Sequence, residues 1–271
     1  MKTETDVLFI SHGGGPMPLL GDPGHREMVE RLTELADRLH KPSAILVISA
    51  HWEESVPMIT SGASPQLIYD YYDFPPEAYS IEYPCLGEPG LARQVYQALE
   101  QSGIPAQFDD RRGFDHGLFV PLKLMYPDAD IPYVQLSLED SLDASTHLAI
   151  GRALQGLDYA NLLVIGSGFS FHNMRAFFAT DTPEIRARNQ AFEDWLEETC
   201  GDTALQESER GERLAHWERA PHARFCHPRE EHLLPLHVCY GLADKPSDTH
   251  ISATILGKKS GMFYWRVERL D

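Results

Sequence analysis

One stretch decides how the rest of the chain is interpreted: Leu162-Leu163-Val164-Ile165-Gly166-Ser167-Gly168-Phe169-Ser170-Phe171-His172-Asn173. Its first four residues form a short apolar run bounded by glycine, which predicts a buried strand. Gly166 and Gly168 are expected to end that strand and let the backbone bend tightly. Ligands of α/β sheets bind beyond the carboxyl ends of the strands. The polar side chains expected at that position are Ser170, His172 and Asn173.

Two further apolar runs also lead into a histidine. Residues 7–10 precede His12, and residues 44–50 run directly into His51. Between them, residues 24–40 carry apolar side chains at helical spacing. A strand, a helix and a second strand at this spacing predict a βαβ unit with parallel neighbouring strands. Because parallel neighbours end at the same edge of a sheet, His12 and His51 are expected to lie side by side.

Strands and helices alternate along the remainder of the chain. This pattern predicts a single α/β domain over residues 1–271, with a central mixed, largely parallel sheet flanked by helices. The further predicted strands are 57–62, 132–138, 251–256 and 262–267. The further predicted helices are 90–102, 144–157 (capped by Asp143), 183–200 and 233–243, with 202–220 also prone to helix.

Composition excludes several classes of protein. The formal charge of −18 disfavours a nucleic-acid partner, since an acidic surface repels phosphates. No apolar stretch approaches the roughly 20 residues of a membrane span, and no signal peptide is evident. The four cysteines show no C-x-x-C spacing, which argues against a zinc knot or a disulfide framework. We therefore expect a cytoplasmic protein, and the sequence does not indicate its oligomeric state.

Histidine is the residue type that carries the functional hypothesis, with 13 copies. Those in predicted strand ends or loops are His12, His51, His116, His172 and His227, with His222 and His232 outside that pattern. Those expected to be structural are His25, His40, His216, His237 and His250. A single histidine is most often structural, but two at adjacent strand ends favour a bound metal, because neutral imidazole is a common ligand. Nitrogen-rich sites suit Zn(II) or Fe(II).

Familiar hydrolase and nucleotide motifs are absent from the sequence. There is no H-E-x-x-H, which argues against a helical metalloprotease. Residues 12–15, His-Gly-Gly-Gly, are similar to a lipase oxyanion loop, but no G-x-S-x-G accompanies them. The glycines of 166–168 lack the Gly-Lys-Ser/Thr of a phosphate-binding loop.

Six short motifs occur in an order that is typical of one family. They are Ile10-Ser11-His12-Gly13 with Pro16-Met17; Ser49-Ala50-His51-Trp52; Tyr69-Asp70 with Asp73-Phe74-Pro75 and Tyr83-Pro84; Asp115-His116-Gly117 with Pro121-Leu122; Gly166-Ser167-Gly168 with His172-Asn173; and His227-Pro228 with Glu231-His232 and Leu234-Pro235-Leu236. Over nearly its whole length the chain resembles the class III extradiol ring-cleavage dioxygenases of the LigB superfamily, in the DOPA 4,5-dioxygenase-like branch.

The resemblance implies a role for each histidine. His12, His51 and His227 match the metal ligands, with one Fe(II) or Zn(II) per chain. His172 matches the catalytic base, or a fourth contact to the metal in some zinc-bound members, and His116 matches a second active-site histidine. Better-known members use a glutamate as third ligand, and Glu231 is the nearest carboxylate that could replace His227 in that role.

The implied reaction is the opening of a DOPA-like catechol ring with O₂. Contacts to the substrate are expected from Asn173, Tyr69 and Trp52, although packing within the aromatic loop 69–83 explains Tyr69 equally well. Two other functions remain open. A zinc hydrolase could use the same histidines to activate water, and a non-enzymatic interaction protein similar to the Memo type would have the same fold.

Overall fold

The structure, a computed structural model, describes residues 3–269. Over this range the chain forms one eight-stranded sheet. Its strands are β1 (Thr3–Ser11), β2 (Ala44–Glu54), β3 (Met58–Thr60), β4 (Gln107–Asp109), β5 (Tyr133–Glu139), β6 (Leu162–Gly168), β7 (Thr249–Ile255) and β8 (Lys258–Arg269). They lie in the order β4-β3-β5-β2-β6-β1-β8-β7, with parallel pairs in the centre and antiparallel pairs at β1–β8, β7–β8 and β3–β5.

Helices cover both faces of this sheet. They are α1 (Arg26–Arg38), α2 (Pro89–Gln101), α3 (His116–Met125), α4 (Ala144–Leu154), α5 (Met174–Phe178), α6 (Pro183–Gly201), α7 (Glu207–Ala215), α8 (Ala223–Cys226) and α9 (Leu234–Ala243). One apolar layer packs under α2, α4, α6 and α9, and the other packs under α1, α3 and the loop 67–83. The predicted fold class, a single α/β domain with a mixed, largely parallel sheet flanked by helices, is confirmed.

The strand β6 lies at the centre of the sheet, between β1 and β2. Each of those two strands pairs with β6 in parallel. The prediction that β1 and β2 are direct neighbours is therefore wrong, because a strand that comes more than a hundred residues later inserts between them. Their shared direction was predicted correctly, and it still brings both carboxyl ends to one edge of the sheet.

Two glycines of β6 have a different role from the one predicted. Gly166 and Gly168 lie within the strand and do not end it. A Cβ at Gly166 would lie 2.6 Å from the carbonyl oxygen of Pro235, and one at Gly168 would lie 2.1 Å from that of His232. These glycines therefore allow the segment that leads into α9 to approach the strand closely.

Two histidines lie in regular structure where the sequence predicted an ending or a loop. The strand β2 continues through His51 to Glu54, with a shift of register against β5 between Ile48 and Glu53. His116 is the first residue of α3, a helix that the sequence analysis missed because Pro121 lies inside it. No helix within residues 3–269 combines the length and apolarity needed to cross a membrane.

Candidate active site

Five imidazole rings meet at the edge of the sheet formed by the carboxyl-terminal ends of β1, β2 and β6. The ring of His12 lies 4.8 Å from that of His51 and 5.2 Å from that of His232, measured between centroids. The rings of His51 and His232 are 5.0 Å apart, which completes a nearly equilateral triangle. His116 lies 3.9 Å from His51, and His172 stacks on His232 at 3.4 Å. We call these five residues the histidine cluster.

The hydrogen bonds of His12 show which of its nitrogens is free. The single hydroxyl proton of Ser167 is donated to the carbonyl oxygen of Gly117. The Ser167 oxygen, 3.1 Å from His12 Nδ1, therefore accepts a proton from that nitrogen. His12 Nε2 is left with a lone pair, and it lies 3.0 Å from His51 Nε2.

A carboxylate from the aromatic loop orients two more rings. Asp70 Oδ1 accepts hydrogen bonds from Nδ1 and from the backbone N–H of His116, both at 2.9 Å. Its Oδ2 lies 3.8 Å from His51 Nδ1. Burial alone would raise the pKa of Asp70, but the hydrogen bonds from His116 lower it below its ordinary value. With Nδ1 of His116 committed to an ionised carboxylate, Nε2 of that ring faces the cluster.

A second carboxylate holds the other two rings. Glu231 Oε1 lies 2.9 Å from His232 Nδ1 and 3.3 Å from His172 Nδ1. Burial would raise the pKa of Glu231, yet its hydrogen bonds with His172 and His232 bring it well below the ordinary value. Glu231 is therefore an ionised acceptor for both Nδ1–H groups, so that both Nε2 atoms are free. This use of a carboxylate to fix the tautomer is common around metal-binding histidines.

Burial keeps the innermost rings neutral. It lowers the pKa of His12 well below its ordinary value, and the neighbouring His232 and His116 lower it further. Burial and the proximity of His116 and His12 act in the same direction on His51. Burial, with the neighbouring His172, lowers the pKa of His232 to about 3. A site of neutral imidazoles is suited to a cation, since a metal ion binds the unprotonated nitrogen.

The donor set fits a metal ion by chemistry and by spacing. His12, His51 and His116 each offer a nitrogen, with all three atoms within 4.8 Å of one another, and His172, Glu231 and His232 form a second such group. Two nitrogens 3.0 Å apart, as in His12 and His51, can both lie about 2.1 Å from a single ion. The cluster can therefore hold one metal ion through a subset of its rings.

The structure places His227, the predicted third ligand, outside the histidine cluster. Its Nε2 donates to the carbonyl oxygen of Ser170 at 2.6 Å, and its ring packs against Phe192 and Trp217. Its Nδ1 is buried without a partner among the described residues. The physical reason is that the short helix α8 directs His227 inward to the wall behind the site. His232, which the sequence analysis left outside its pattern, lies in the histidine cluster, close to His12 and His51.

A close backbone contact brings His232 to the cluster. The carbonyl oxygen of His232 accepts a hydrogen bond from the N–H of Phe169 at 2.8 Å, immediately after β6. Because Gly168 has no side chain, this carbonyl can lie against the strand. Gly168, which was expected to bend the chain, therefore allows His232 to reach the histidine cluster.

The predicted substrate contacts have different surroundings. Trp52 is buried, donates from Nε1 to Glu54 at 2.9 Å and lies under the guanidinium of Arg112. Tyr69 donates to the carbonyl oxygen of Ile81 and packs within its own loop. These contacts support a packing role for both side chains, the alternative that the sequence analysis kept open for Tyr69.

Asn173 lies beside two residues of the candidate site, His172 and Glu231. Its Oδ1 caps α5 by accepting from the N–H of Ala176 at 3.1 Å, and its Nδ2 donates to the carbonyl oxygen of Phe225. It also lines a cavity of about 490 Å³ together with His172 and Glu231. Ser170, by contrast, points away from this cavity and donates to the buried Glu193 at 2.7 Å.

The sequence analysis missed Asp70 and Ser167 as parts of the site. Asp70 lies in the aromatic loop, and the pair Tyr69-Asp70 was noted only as part of a motif. A carboxylate that lies among tyrosines, between Tyr69 and Tyr71, is a signal that could have identified it. Ser167 lies between the two glycines of β6, and the alternation of side chains along a strand hides which face it occupies.

Known proteins of similar sequence and fold indicate the family of this chain. The sequence profile of the family described as "Catalytic LigB subunit of aromatic ring-opening dioxygenase" matches residues 6–263. "Dioxygenase tasH" of Hapsidospora irregularis is 40% identical over 277 residues, which cover 96% of this chain and 85% of that protein. The "4,5-DOPA dioxygenase extradiol" of Beta vulgaris is 37% identical over 251 residues, covering 91% of this chain and 90% of that protein.

A solved structure shows the same likeness in three dimensions. An uncharacterized protein from Escherichia coli K12 superposes with a TM-score of 0.75 at 27% identity, covering 97% of this chain and 99% of that chain. The family profile spans all of the elements that carry the histidine cluster. The resemblance inferred from short motifs is therefore confirmed, and the chain belongs to the LigB family of aromatic ring-opening dioxygenases, in the branch of the extradiol DOPA dioxygenases.

Proposed function

We propose that this protein is a metal-dependent extradiol dioxygenase that opens the ring of a DOPA-like catechol with O₂. The observation that carries the proposal is the histidine cluster, in which Ser167, Asp70 and Glu231 occupy Nδ1 atoms and leave Nε2 atoms available, with Nε2 of His12 only 3.0 Å from Nε2 of His51. Closely spaced, unprotonated nitrogens suit a metal, and the additional rings can transfer protons beside it. The names of the related dioxygenases support the same reaction class.

His12, His51 and His232 are the ligands that we propose, with one ion per chain. Their rings form the nearly equilateral triangle described above, and burial lowers the pKa of all three. Fe(II) is the ion that suits the reaction, and Zn(II) would accept the same nitrogens. When bound, the metal supplies coordination positions for the catechol oxygens and for O₂. Neighbouring side chains then perform the proton transfers.

His172 is the proposed base. Its Nδ1 lies beside the Glu231 carboxylate, so the opposite nitrogen, Nε2, is available to take a proton from a catechol hydroxyl. The ring is partly exposed and lines the cavity of about 490 Å³, where a substrate can reach it. Stacking on His232 fixes the plane of the ring beside a proposed ligand. A positioned base of this kind contributes about 10²- to 10⁴-fold to a rate.

His116 is the proposed acid. The Asp70 carboxylate holds its Nδ1–H and compensates the charge of the ring when both nitrogens carry a proton. Nε2 can then supply a proton as the oxygen–oxygen bond breaks. The ring of Tyr71 contacts His116 edge-on at 5.7 Å and limits its rotation. The two proton-transfer groups therefore lie on different sides of the proposed ligands, each oriented by its own carboxylate.

The test is anaerobic reconstitution with Fe(II), followed by the addition of air and DOPA. We expect a yellow semialdehyde product that forms with one O₂ consumed per molecule of product. As a control, the exposed His40 is replaced by alanine, because it lies at the opposite end of α1 from the cluster.

Two outcomes would replace this proposal. Tight Zn(II) binding with hydrolysis and no oxygen uptake would indicate a zinc hydrolase. Failure to bind either metal would favour an interaction protein on the same fold. Oxygen uptake without ring opening would also contradict the proposed reaction.

A further inference from the structure

The cavity beside His172 carries charges that the proposed proton transfers do not use. Its volume of about 490 Å³ lies in the range of sites for small one-ring ligands. Two arginines, Arg175 and Arg229, line it together with His172 and Glu231. A ring that is bound at His172 would therefore have its substituent near these guanidinium groups.

One of the two arginines is already compensated. Arg229 donates to both carboxylate oxygens of Glu53, each at 2.5 Å. Its Nη1 also lies 3.5 Å from Glu231 Oε2. Arg229 thus holds two carboxylates in place and has little capacity to bind a third anion.

Arg175, unlike Arg229, has no carboxylate partner among the described residues. It belongs to the short helix α5, three residues after His172, and its side chain is exposed at the cavity. It makes no ion pair with any side chain in the part of the sequence that the structure describes. The chain as a whole carries a charge of −18 and repels anions, so an uncompensated guanidinium is a local exception to that field.

We propose that Arg175 is the residue that recognises the side chain of the substrate, by binding its carboxylate. The planar guanidinium can donate two parallel hydrogen bonds to a carboxylate, which orients the ligand as well as attracting it. Binding there places the catechol hydroxyls toward His172 and the acidic group toward solvent. This inference rests on the proposed ring-opening function and adds to it a residue that determines specificity.

The experiment compares two substrates on the Fe(II)-loaded enzyme. They are 3-(3,4-dihydroxyphenyl)propionate and its uncharged amide, which share one ring and one chain length. We expect Arg175→Gln to raise KM for the acid by about 10- to 100-fold relative to KM for the amide, with kcat for the acid changed only severalfold. Arg175→Lys should show only part of the loss, since lysine keeps the positive charge but cannot donate two parallel hydrogen bonds from one plane. Arg111→Gln, at an exposed arginine outside the cavity, is the charge-matched control.

A binding measurement separates this inference from the proposed function. Calorimetric titration of the loaded enzyme with 3-phenylpropionate, which cannot be ring-opened, should show binding that Arg175→Gln weakens and Arg111→Gln retains. Equal ratios of KM for acid and amide in the wild type and in Arg175→Gln would overturn the role of Arg175 while leaving ring opening intact. Failure of the wild type to open either catechol would overturn the proposed function, and unchanged binding of 3-phenylpropionate in Arg175→Gln would then overturn the anion site as well.

Discussion

His227 and His232 lie five residues apart in one loop, yet their surroundings differ completely. His227 is sealed between Phe192 and Trp217, with Nε2 committed to the backbone carbonyl of Ser170. His232 donates from Nδ1 to the Glu231 carboxylate and directs its other nitrogen into the histidine cluster. Burial lowers the pKa of both rings to about 3, so neither burial nor pKa distinguishes them.

The distinguishing feature is which nitrogen is occupied, and by what. A carboxylate at Nδ1 raises the basicity of the ring and leaves Nε2 available to a metal. A carbonyl at Nε2, with Nδ1 enclosed, ties two segments together and leaves nothing for a ligand. His12, His116 and His172 resemble His232 in this respect, since each has Nδ1 beside a side-chain oxygen. The comparison predicts that the two substitutions affect different properties. Replacing His232 should impair metal binding, and replacing His227 should lower folding stability.

The largest expected effect is the loss of the proposed metal site in His232→Ala. We expect metal content after reconstitution to fall to background and turnover to become undetectable, while the unfolding midpoint of the metal-free chain changes little. His227→Ala should bind metal with wild-type stoichiometry. Its free energy of unfolding should fall by roughly 2–4 kcal/mol, because a ring packed against two aromatic side chains leaves a cavity.

The two measurements are elemental analysis of the reconstituted protein and urea unfolding of the metal-free protein. His40→Ala, at an exposed histidine of the opposite sheet edge, controls for the loss of an imidazole. The reverse pattern, with metal lost in His227→Ala and kept in His232→Ala, would restore the ligand set that was expected from the sequence.

The next effect concerns a ring that is stacked on His232 but is not a proposed ligand. His172→Ala should keep its metal and lose about 10²- to 10⁴-fold in kcat, the usual contribution of a positioned base. Stopped-flow measurement of product formation, alongside metal analysis of the same sample, checks both statements. If metal is lost together with activity, His172 is a ligand and the stacked pair acts as one unit.

His12 and His51 show how much of the site could be predicted from the sequence. The strands that end near His12 and His51, their common direction and the fold class were predictable, because buried strands and amphipathic helices have distinct periods. The insertion of β6 between β1 and β2 was not predictable, since strand order depends on contacts between residues far apart in the chain. The two rings nevertheless meet, because parallel strands end at the same edge whether or not they are adjacent.

That His232 lies in the histidine cluster and His227 does not could not be predicted from local patterns, for a similar reason. The segment 227–232 reads as a short polar loop, and nothing in it shows that α8 turns His227 inward. The approach of His232 requires a glycine at 168, more than sixty residues earlier. Asp70 is an equivalent case, since it reaches His116 from a separate loop across 46 positions of the chain.

A smaller effect is expected when a carboxylate is altered instead of a ring. Asp70→Asn keeps the size of the side chain and removes the charge that compensates His116. We expect kcat to fall by about 10- to 100-fold, as for other partners of active-site histidines, with metal retained. Asp73→Asn, in the same loop and with no resolved contact to the cluster, is the matched control. A fall in Asp70→Asn no larger than that in the control would show that His116 acts without its carboxylate.

The smallest effect is a change in how stability depends on pH. Burial lowers the pKa of His227 in the folded chain to about 3 from an ordinary value of 6.5. As pH falls below about 6.5, the unfolded chain gains a proton at this residue that the folded chain does not, so folding stability is lost toward pH 3 at up to about 1.4 kcal/mol per pH unit. His227→Gln can still donate to Ser170 but does not titrate. Urea unfolding of the metal-free chain between pH 6.5 and 4 should therefore give a slope that is shallower than wild type by about one proton. Because all five cluster histidines are common to both proteins, their titration cancels. Parallel curves would mean that His227 reaches solvent and is not sealed in the interior, which would remove the contrast with His232.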